Sequence, residues 1–581
     1  MGAGKTANRR LWRYIVPYWR MIALGTGISL LTVGFNIAIP FVSRYVIDGL
    51  AARELGRGDL LRWLGLYVVA TAFATALSYW MRWLPLRVGH QVETDIRCDL
   101  FQHLTGLERE FFREHHTGDL LNRLSSDVRA VGFGFGQGLM QNTRMIFVLF
   151  LGFGVMFSLN VKLAALVLAL VPAMVGSFTW FSQRIKRGHL LVQEELSEMA
   201  SFNQESFAGI QTVKSFALED RWRAQFAERN RALMQKNLRL VRVHELTRPL
   251  AGFWFAVSSV LVLLVGGRLV IAEELSLGAL VQFTQYLLYM QWPLLSVGWV
   301  LNLIQRGWAS WGRIDSLLQR APGITDPPEV HAGENSAALG ITFDRVGLKV
   351  GDTVLLEDIN LIIAPGMRVG ITGPTGSGKT TLLSLLPRLM DVTSGAVRVG
   401  GRDVREWPLA ELRGRIGMAE QEPVLFSDTL ANNIRFGAPE VSDEAMLKAA
   451  DLAHLHADVA QLPQQFDTLM GERGVTLSGG QRQRTSLGRA LSRDPRILIL
   501  DDVLAAVDTE TEAAILAKLR GVFASRTTLL ASHRVRTLAE MDWIVVLENG
   551  RITQRGTHQE LIQQPGYYRR LHERQQLAAA I

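Results

Sequence analysis

The stretch Gly373 to Thr380 reads GPTGSGKT and offers the chemistry of phosphate binding. It matches the spacing G-x-x-x-x-G-K-[ST], follows an apolar run with strand character at Met367–Thr372, and opens into TLLSLLPRL from Thr381, which has helical character. Glycines let the backbone wrap until several N–H groups point at phosphate oxygens. Lys379 supplies a point charge for the outer phosphates, Thr380 an oxygen for Mg2+, and the start of the next helix a favourable dipole. Gly373, Pro374, Thr375, Gly376, Ser377, Gly378, Lys379, Thr380 and Thr381 are therefore the candidate triphosphate cradle. This loop alone does not separate a kinase from a transporter. Further along, Leu477–Gln481 reads LSGGQ and is followed by RQR, and an apolar run at Ile497–Leu500 ends in two acids, Asp501 and Asp502.

LSGGQ and a paired acid behind a phosphate loop resemble the ATP-binding cassette family. The whole chain resembles an ABC exporter half-transporter of the multidrug or lipid type, with six membrane helices fused to one nucleotide-binding domain. In that family the phosphate loop of one cassette and the LSGGQ of another clasp one ATP. The resemblance implies that Ser478, Gly479, Gly480 and Gln481 meet nucleotide held by a second cassette, and that one chain does not make a complete site. It also implies that Gln421, in EQEPVLFSDTLANNI, is the Q-loop residue touching Mg2+ and water. His533, in LLASHR, resembles the switch histidine that senses the γ-phosphate, and Gly471–Gly474, GERG, resembles the loop that exporters carry before the signature. Asp508 falls at the D-loop position, although VLAAVD replaces the commoner ATSALD. Val350 falls where the family usually stacks an aromatic on adenine, and it offers only an apolar contact.

The most informative departure is Asp502. Asp501 is expected to hold Mg2+, while the next residue in the family is normally Glu and orients the attacking water. Aspartate is shorter by one methylene, about 1.5 Å of reach, and a base must come within about 2.6–3.2 Å of its proton, directly or through one water. The expectation is a site that binds ATP and cleaves it poorly, beside an intact LSGGQ that serves another Walker B. That split resembles the degenerate-site subunit of a heterodimeric exporter.

At 581 residues the chain is long enough for several domains, and 48% hydrophobic residues with a mean hydropathy of +0.15 are unusual for one soluble enzyme. A net charge of +8 suits either nucleic acid or loops facing an anionic membrane surface. The single cysteine, Cys98, excludes an internal disulfide and a cysteine metal cluster and fits cytoplasmic domains. The opening MGAGKTANRR has half a phosphate loop, but it lacks a preceding strand and the first glycine, and it reads as a flexible basic tail. The apolar stretch behind it is too long for a signal h-region.

Leu11–Arg20 interleaves aromatics with Arg13 and Arg20, as a helix lying at an interface requires, or else forms the first turns of the next helix. Spans are expected at Met21–Val46, Leu61–Trp83, Met145–Leu159, Leu163–Trp180, Gly252–Ile271 and Gly278–Ile304, with Pro40 kinking the first and a tight turn at Asn160 and Lys162. The long charged segments between spans two and three and between four and five carry basic residues such as Arg184, Lys186 and Arg187, which places them, the cassette and both termini in the cytoplasm; Arg53 and Arg57 run mildly against the rule. These segments resemble the family's cytoplasmic extensions with coupling helices, matched at Phe111–Val128 and at Glu205–Glu219. His115 and His116 read as solvated rather than as a metal pair, and Arg144 as a snorkelling residue. In span six, Gln282, Gln285, Tyr289 and Trp292 share one helix face, which suits either a cavity lining for large amphipathic molecules or interhelical hydrogen bonding.

The expected architecture is a six-helix transmembrane domain with long cytoplasmic helical extensions over residues 1–320, a linker over 321–338 and an α/β P-loop ATP-binding cassette over 339–581. The expected function is ATP-driven export of amphipathic or hydrophobic compounds from a cell membrane by alternating access. Its cofactors are ATP and Mg2+, and its partners are a different half-transporter with a Walker B Glu and membrane lipid. A homodimeric lipid flippase and a nucleotide-gated channel or regulator are the alternatives. Six spans, and a compact spacing from phosphate loop to LSGGQ, argue against a DNA-processing ATPase and against nucleic acid as a partner.

Overall fold

The computed structural model describes residues 2–327, 339–471 and 477–580. The chain divides into two compact units, Met1–Thr105 with Thr117–Arg320, and Gly106–His116 with Ala321–Ile581. Residues 328–338 of the expected linker, and all of the expected exporter loop except Gly471, lie outside the described residues.

Among the described residues of the first unit, six helical runs are long and apolar enough to cross a membrane: Arg9–Ala51, Arg57–Thr105, Thr117–Leu159, Val161–Ala208, Glu219–Ile271 and Leu277–Leu318. Each is longer than its apolar part, because the charged segments continue the same helices. At 1.5 Å per residue the 49 residues of Arg57–Thr105 extend about 74 Å, more than twice an apolar bilayer core. Large apolar side chains such as Val68, Val69, Phe150, Leu264 and Ile271 stand exposed on these helices, which water penalises and lipid does not. Inward-facing residues, among them Val33, Ile37, Val148, Met156, Val262, Phe283 and Tyr286, pack into one cluster.

The tight turn between the third and fourth runs rests on Asn160. Its N–H closes the preceding helix on the Met156 carbonyl (3.1 Å), and its side chain caps the next by accepting from Leu163 N (3.1 Å). At the start of Leu277–Leu318, Asp48 accepts from Ser276 Oγ and from Gly278 N, each at 2.7 Å. Within the third run, π-helical turns at Arg123–Asp127 and Phe133–Gly138 interrupt the α-helix. Between them, backbones approach so closely that a Cβ on Gly132 would lie 2.5 Å from the Gly89 carbonyl.

One expectation is corrected here, and two others gain detail. The N-terminal segment is not a loose tail: Gly2–Ile15 is a helix and Val16–Tyr18 a 3₁₀ turn with Pro17 near its start. Leu11 and Ile15 bury one face while Trp12 and Trp19 stay exposed, and Tyr14 and Tyr18 donate to Asp99 (2.9 Å) and Asp95 (2.7 Å). The 3₁₀ turn divides this helix from Trp19–Ala51 within the first run. His115 is half-buried and stacks on buried Phe111 with ring centroids 4.2 Å apart, while His116 is exposed. The span-six face is divided: Gln282 is buried and donates to the Tyr286 hydroxyl (3.1 Å), which donates to the Ile37 carbonyl (2.6 Å). That half serves packing, whereas Gln285 and Tyr289 are half-buried and Trp292 is exposed.

Among the described residues, the second unit contains ten strands: β1 Ile341–Val350, β2 Thr353–Ile363, β3 Arg368–Thr372, β4 Ser394–Val399, β5 Arg402–Asp403, β6 Ile416–Ala419, β7 Ile497–Asp501, β8 Thr527–Ala531, β9 Trp543–Glu548 and β10 Arg551–Gly556. They form an antiparallel sheet ordered β2-β1-β4-β5 and a second sheet ordered β10-β9-β3-β8-β7-β6, whose inner pairs are parallel. The parallel strands are covered on both faces, which is why ILILD in β7 and TTLLA in β8 are buried at every position. The loop from Gly373, the pair Asp501–Asp502 and His533 stand at the C-terminal ends of the adjacent strands β3, β7 and β8, where open α/β sheets place ligands.

Candidate nucleotide site

The loop after β3 has its shape because glycine stands at three left-handed positions, with φ of +152° at Gly373, +79° at Gly376 and +102° at Gly378. At Gly373 a Cβ would fall 1.9 Å from the Leu547 carbonyl oxygen, so no other residue fits. The helix that follows is shorter than its apolar sequence suggests. It runs Lys379–Ser384 and then loosens into turns, because Pro387 offers no N–H and disfavours helix in the residue before it.

Lys379 is buried and folds over the loop, donating through Nζ to the carbonyls of Gly373 (3.0 Å) and Pro374 (2.9 Å). Burial pushes its ammonium pKa down, and the carboxylates of Asp502 and Asp501 pull it back up. Asp501 ends β7 with its side chain almost fully enclosed; burial raises its pKa, against the opposing hydrogen bond of the Thr380 hydroxyl. Its Oδ2, together with Ser377 Oγ and Thr372 Oγ1, is buried without a hydrogen-bond partner.

Asp502 sits in the left-handed region at φ +49° and donates its N–H to the Ala531 carbonyl at 3.0 Å, which ties it to β8. Burial raises the pKa of its carboxyl, while the neighbouring His533, Lys379 and Arg534 oppose the rise. His533 is pushed down, by burial first and by Lys379 second. Lys379, Thr380, Asp501, Asp502 and His533 are thus brought into one electrostatic neighbourhood.

The signature lies elsewhere in the unit. Ser478 caps the helix Gly479–Ser492 in a reciprocal box with Gln481, whose Nε2 donates to Asp458 (2.9 Å). A Cβ on Gly480 would lie 2.9 Å from the Ala506 carbonyl, so that glycine permits close passage of the D-loop. Among the described contacts, none joins Ser478–Gln481 to residues 373–381. Gln421 has an exposed side chain, and its carbonyl accepts from Gln483 Nε2 (3.3 Å). Val350 is half-exposed at the tip of β1 beside the turn at Gly351. Asp508 is exposed and caps Thr509–Phe523 by accepting from Thr511 N (2.9 Å).

Two linking residues escape sequence reasoning. Gln483 accepts from Ala506 N (3.0 Å) through its other amide end and so joins the Q-loop to the D-loop. Arg534 donates to the carbonyls of Ala505 (3.0 Å) and Val507 (2.9 Å) and pairs with buried Glu512. The only signal for either is its position beside a motif.

ATP with Mg2+ is the ligand this fold implies, and the residues fit it. Buried Asp501 Oδ2 and Ser377 Oγ lack partners, and the acceptors of Lys379 are neutral carbonyls, weaker partners for an ammonium than a phosphate.

A unit of membrane-spanning helices joined to a phosphate-loop α/β unit has the build of a nucleotide-driven membrane transporter. Comparison with known proteins makes this specific. The family description "ABC transporter transmembrane region" matches residues 22–294, and "ABC transporter" matches residues 356–505. The chain is 35% identical over 577 residues to the multidrug resistance-like ATP-binding protein MdlA of Escherichia coli K12, covering 99% of this chain and 96% of that one. It is 30% identical over 569 residues to the ATP-dependent lipid A-core flippase of Syntrophus aciditrophicus, covering 98% of this chain and 94% of that one. A solved structure of a bacterial Atm1-family ABC exporter with ATP bound superposes with a TM-score of 0.78 at 27% identity, covering 97% of this chain and 99% of that one. The chain belongs to the ABC transporter family, as an exporter half-transporter of the multidrug and lipid flippase type.

Proposed function

We propose that this chain is the degenerate-site half of a heterodimeric exporter, moving amphipathic or hydrophobic molecules out of a cell membrane with its cassette and both termini in the cytoplasm. The observation that carries the reading is Asp502, a carboxylate one methylene shorter than the usual glutamate and tied through its own backbone to β8. In the proposed site, the loop Gly373–Thr381 and Lys379 hold the outer phosphates, and Thr380, Asp501 and Gln421 hold the metal. Bound Mg2+ supplies neutralisation of phosphate charge. His533 senses the terminal phosphate, Asp502 reaches the attacking water poorly, and Val350 gives adenine an apolar contact. Ser478, Gly479, Gly480 and Gln481 complete the site of the partner, whose Walker B ends in Asp-Glu. The separation of cradle and signature within one chain supports this head-to-tail use. Closure of two cassettes on ATP then shifts the transmembrane helices between inward- and outward-open states.

The test compares ATPase and transport in vesicles for the chain alone and with a half-transporter bearing the glutamate. Alone, the chain is expected to bind Mg-ATP and turn it over slowly; the pair is expected to transport. Rapid transport by the chain alone supports the second reading, a homodimeric lipid flippase, which the similarity to lipid A-core flippases favours. Hydrolysis without vectorial movement points to a channel or regulator.

A further inference from the structure

The turn that carries His533 is held from two sides. Between β8 and the short helix Val535–Leu538 the chain passes through Ser532, His533 and Arg534. On one side, Arg534 is fastened to the D-loop carbonyls and to Glu512, which also accepts from Thr537. On the other side stands Gln575, on the C-terminal helix Tyr567–Ala580. Its Nε2 donates to the His533 carbonyl at 2.6 Å, and its Oε1 accepts from Val535 N at 2.9 Å. A carbonyl only accepts and an N–H only donates, so the partners dictate which way this amide points.

One side chain therefore satisfies the backbone of both residues that flank Arg534. The helix behind it is anchored independently. Tyr568 is fully buried, its hydroxyl lies 2.8 Å from His558 Nδ1, and its N–H donates to Gln554 Oε1 (3.3 Å). Glutamine is the side chain with the required donor, acceptor and length: glutamate keeps the acceptor for Val535 but faces the His533 carbonyl with lone pairs, and alanine keeps neither.

We propose that Gln575 is a positioning residue for His533. It fixes the switch turn so that the imidazole is presented to the terminal phosphate, and it thereby makes the C-terminal helix part of the device by which the cassette tells ATP from ADP. This rests on the reading of His533 as the γ-phosphate sensor.

The test uses the full chain in lipid nanodiscs, with Gln575→Ala, the near-isosteric Gln575→Glu, His533→Ala and the Gln575→Ala/His533→Ala double variant. Hydrogen exchange without nucleotide reads the tie itself. The Val535 amide is expected to exchange about tenfold faster in Gln575→Ala and to stay better protected in Gln575→Glu. The ratio of Mg-ADP to Mg-AMP-PNP dissociation constants reads the consequence. Selectivity for the triphosphate is expected to fall about tenfold in both single Gln575 variants, and Gln575→Ala is expected to add nothing to His533→Ala. Unchanged Val535 exchange in Gln575→Ala, or an equal loss of selectivity with and without His533, overturns the proposal. Selectivity that responds to His533→Ala but not to Gln575→Ala overturns the proposal alone. Selectivity indifferent to His533→Ala overturns the sensor reading, and the proposal with it.

Discussion

At the scale of single residues, the proposed site uses Lys379 and Asp502 in opposite ways. Lys379 is an ammonium kept in a buried place by two loop carbonyls, which in the proposed site give way to phosphate oxygens. Hydrogen bonds to charged groups contribute about 1.5–3 kcal/mol each, so Lys379→Ala is expected to weaken Mg-ATP binding by roughly ten- to a hundredfold. Equilibrium nucleotide binding to the purified chain checks this, and unchanged occupancy of the loop rejects the assignment. Asp502 tests the other half of the reading. General acid–base groups contribute about 10²–10⁴ in rate, and lengthening the side chain restores the missing reach. Asp502→Glu is expected to raise the ATPase of the chain alone by at least about tenfold. No gain in turnover counts against a degenerate site.

At the scale of elements, the strand that feeds the phosphate loop is locked to its neighbour by charge as well as by the ladder. Asp542, just before β9, accepts from the Arg368 backbone N (2.9 Å) and from its Nε (3.1 Å) at the start of β3, and its own N–H donates to the Arg368 carbonyl (3.0 Å). The Arg368 hydrogen bonds hold the Asp542 carboxyl below its ordinary pKa, against burial. A depressed folded value adds stability that is complete above the unfolded pKa, about 3.9, and is lost as pH falls through the folded value. Asp542→Asn is therefore expected to lower the thermal midpoint of the chain near neutrality. The difference from the native chain is expected to close at pH values below about 4. A difference that persists or grows in acid contradicts the assigned role.

At the scale of the whole molecule, the apolar belts of six helices need a bilayer, and in the proposed arrangement the ATP cradle takes its signature from a second cassette. Both are reasons for assembly in a membrane. Ser478 cautions against a simple alanine test of that assembly, because its hydroxyl also caps the helix behind it. In span six, Gln285 donates to Ser43 (3.3 Å) and leaves its Oε1 buried without a partner, and Tyr289 follows on the same face. If this remaining polar face meets cargo, Gln285→Leu and Tyr289→Phe are expected to change the ranking of transported amphiphiles while basal ATPase stays within about twofold, because single hydrogen bonds are worth about 1 kcal/mol. Equal loss for every substrate, with loss of folded protein, assigns these residues to packing.

The sequence alone determined the family and the six spans, and it located the phosphate loop, the signature and the paired acids. Each of those signals is local: a glycine loop, a cap or an apolar run is specified by neighbouring residues through backbone geometry and hydropathy. It also exposed the shortened Asp502, since that departure lies inside a contiguous motif. Tertiary structure alone decided which polar residues of span six turn inward, that Leu11, Tyr14 and Ile15 pack, and that His115 lies on Phe111. It alone joined Gln575 to His533 across 42 residues, Asp542 to Arg368 across 174, and Asp48 to Gly278 across 230. The physical reason is distance along the chain. A hydrogen bond needs its partners within about 3.2 Å in space, and no spacing rule relates two residues whose meeting depends on every turn of the chain between them.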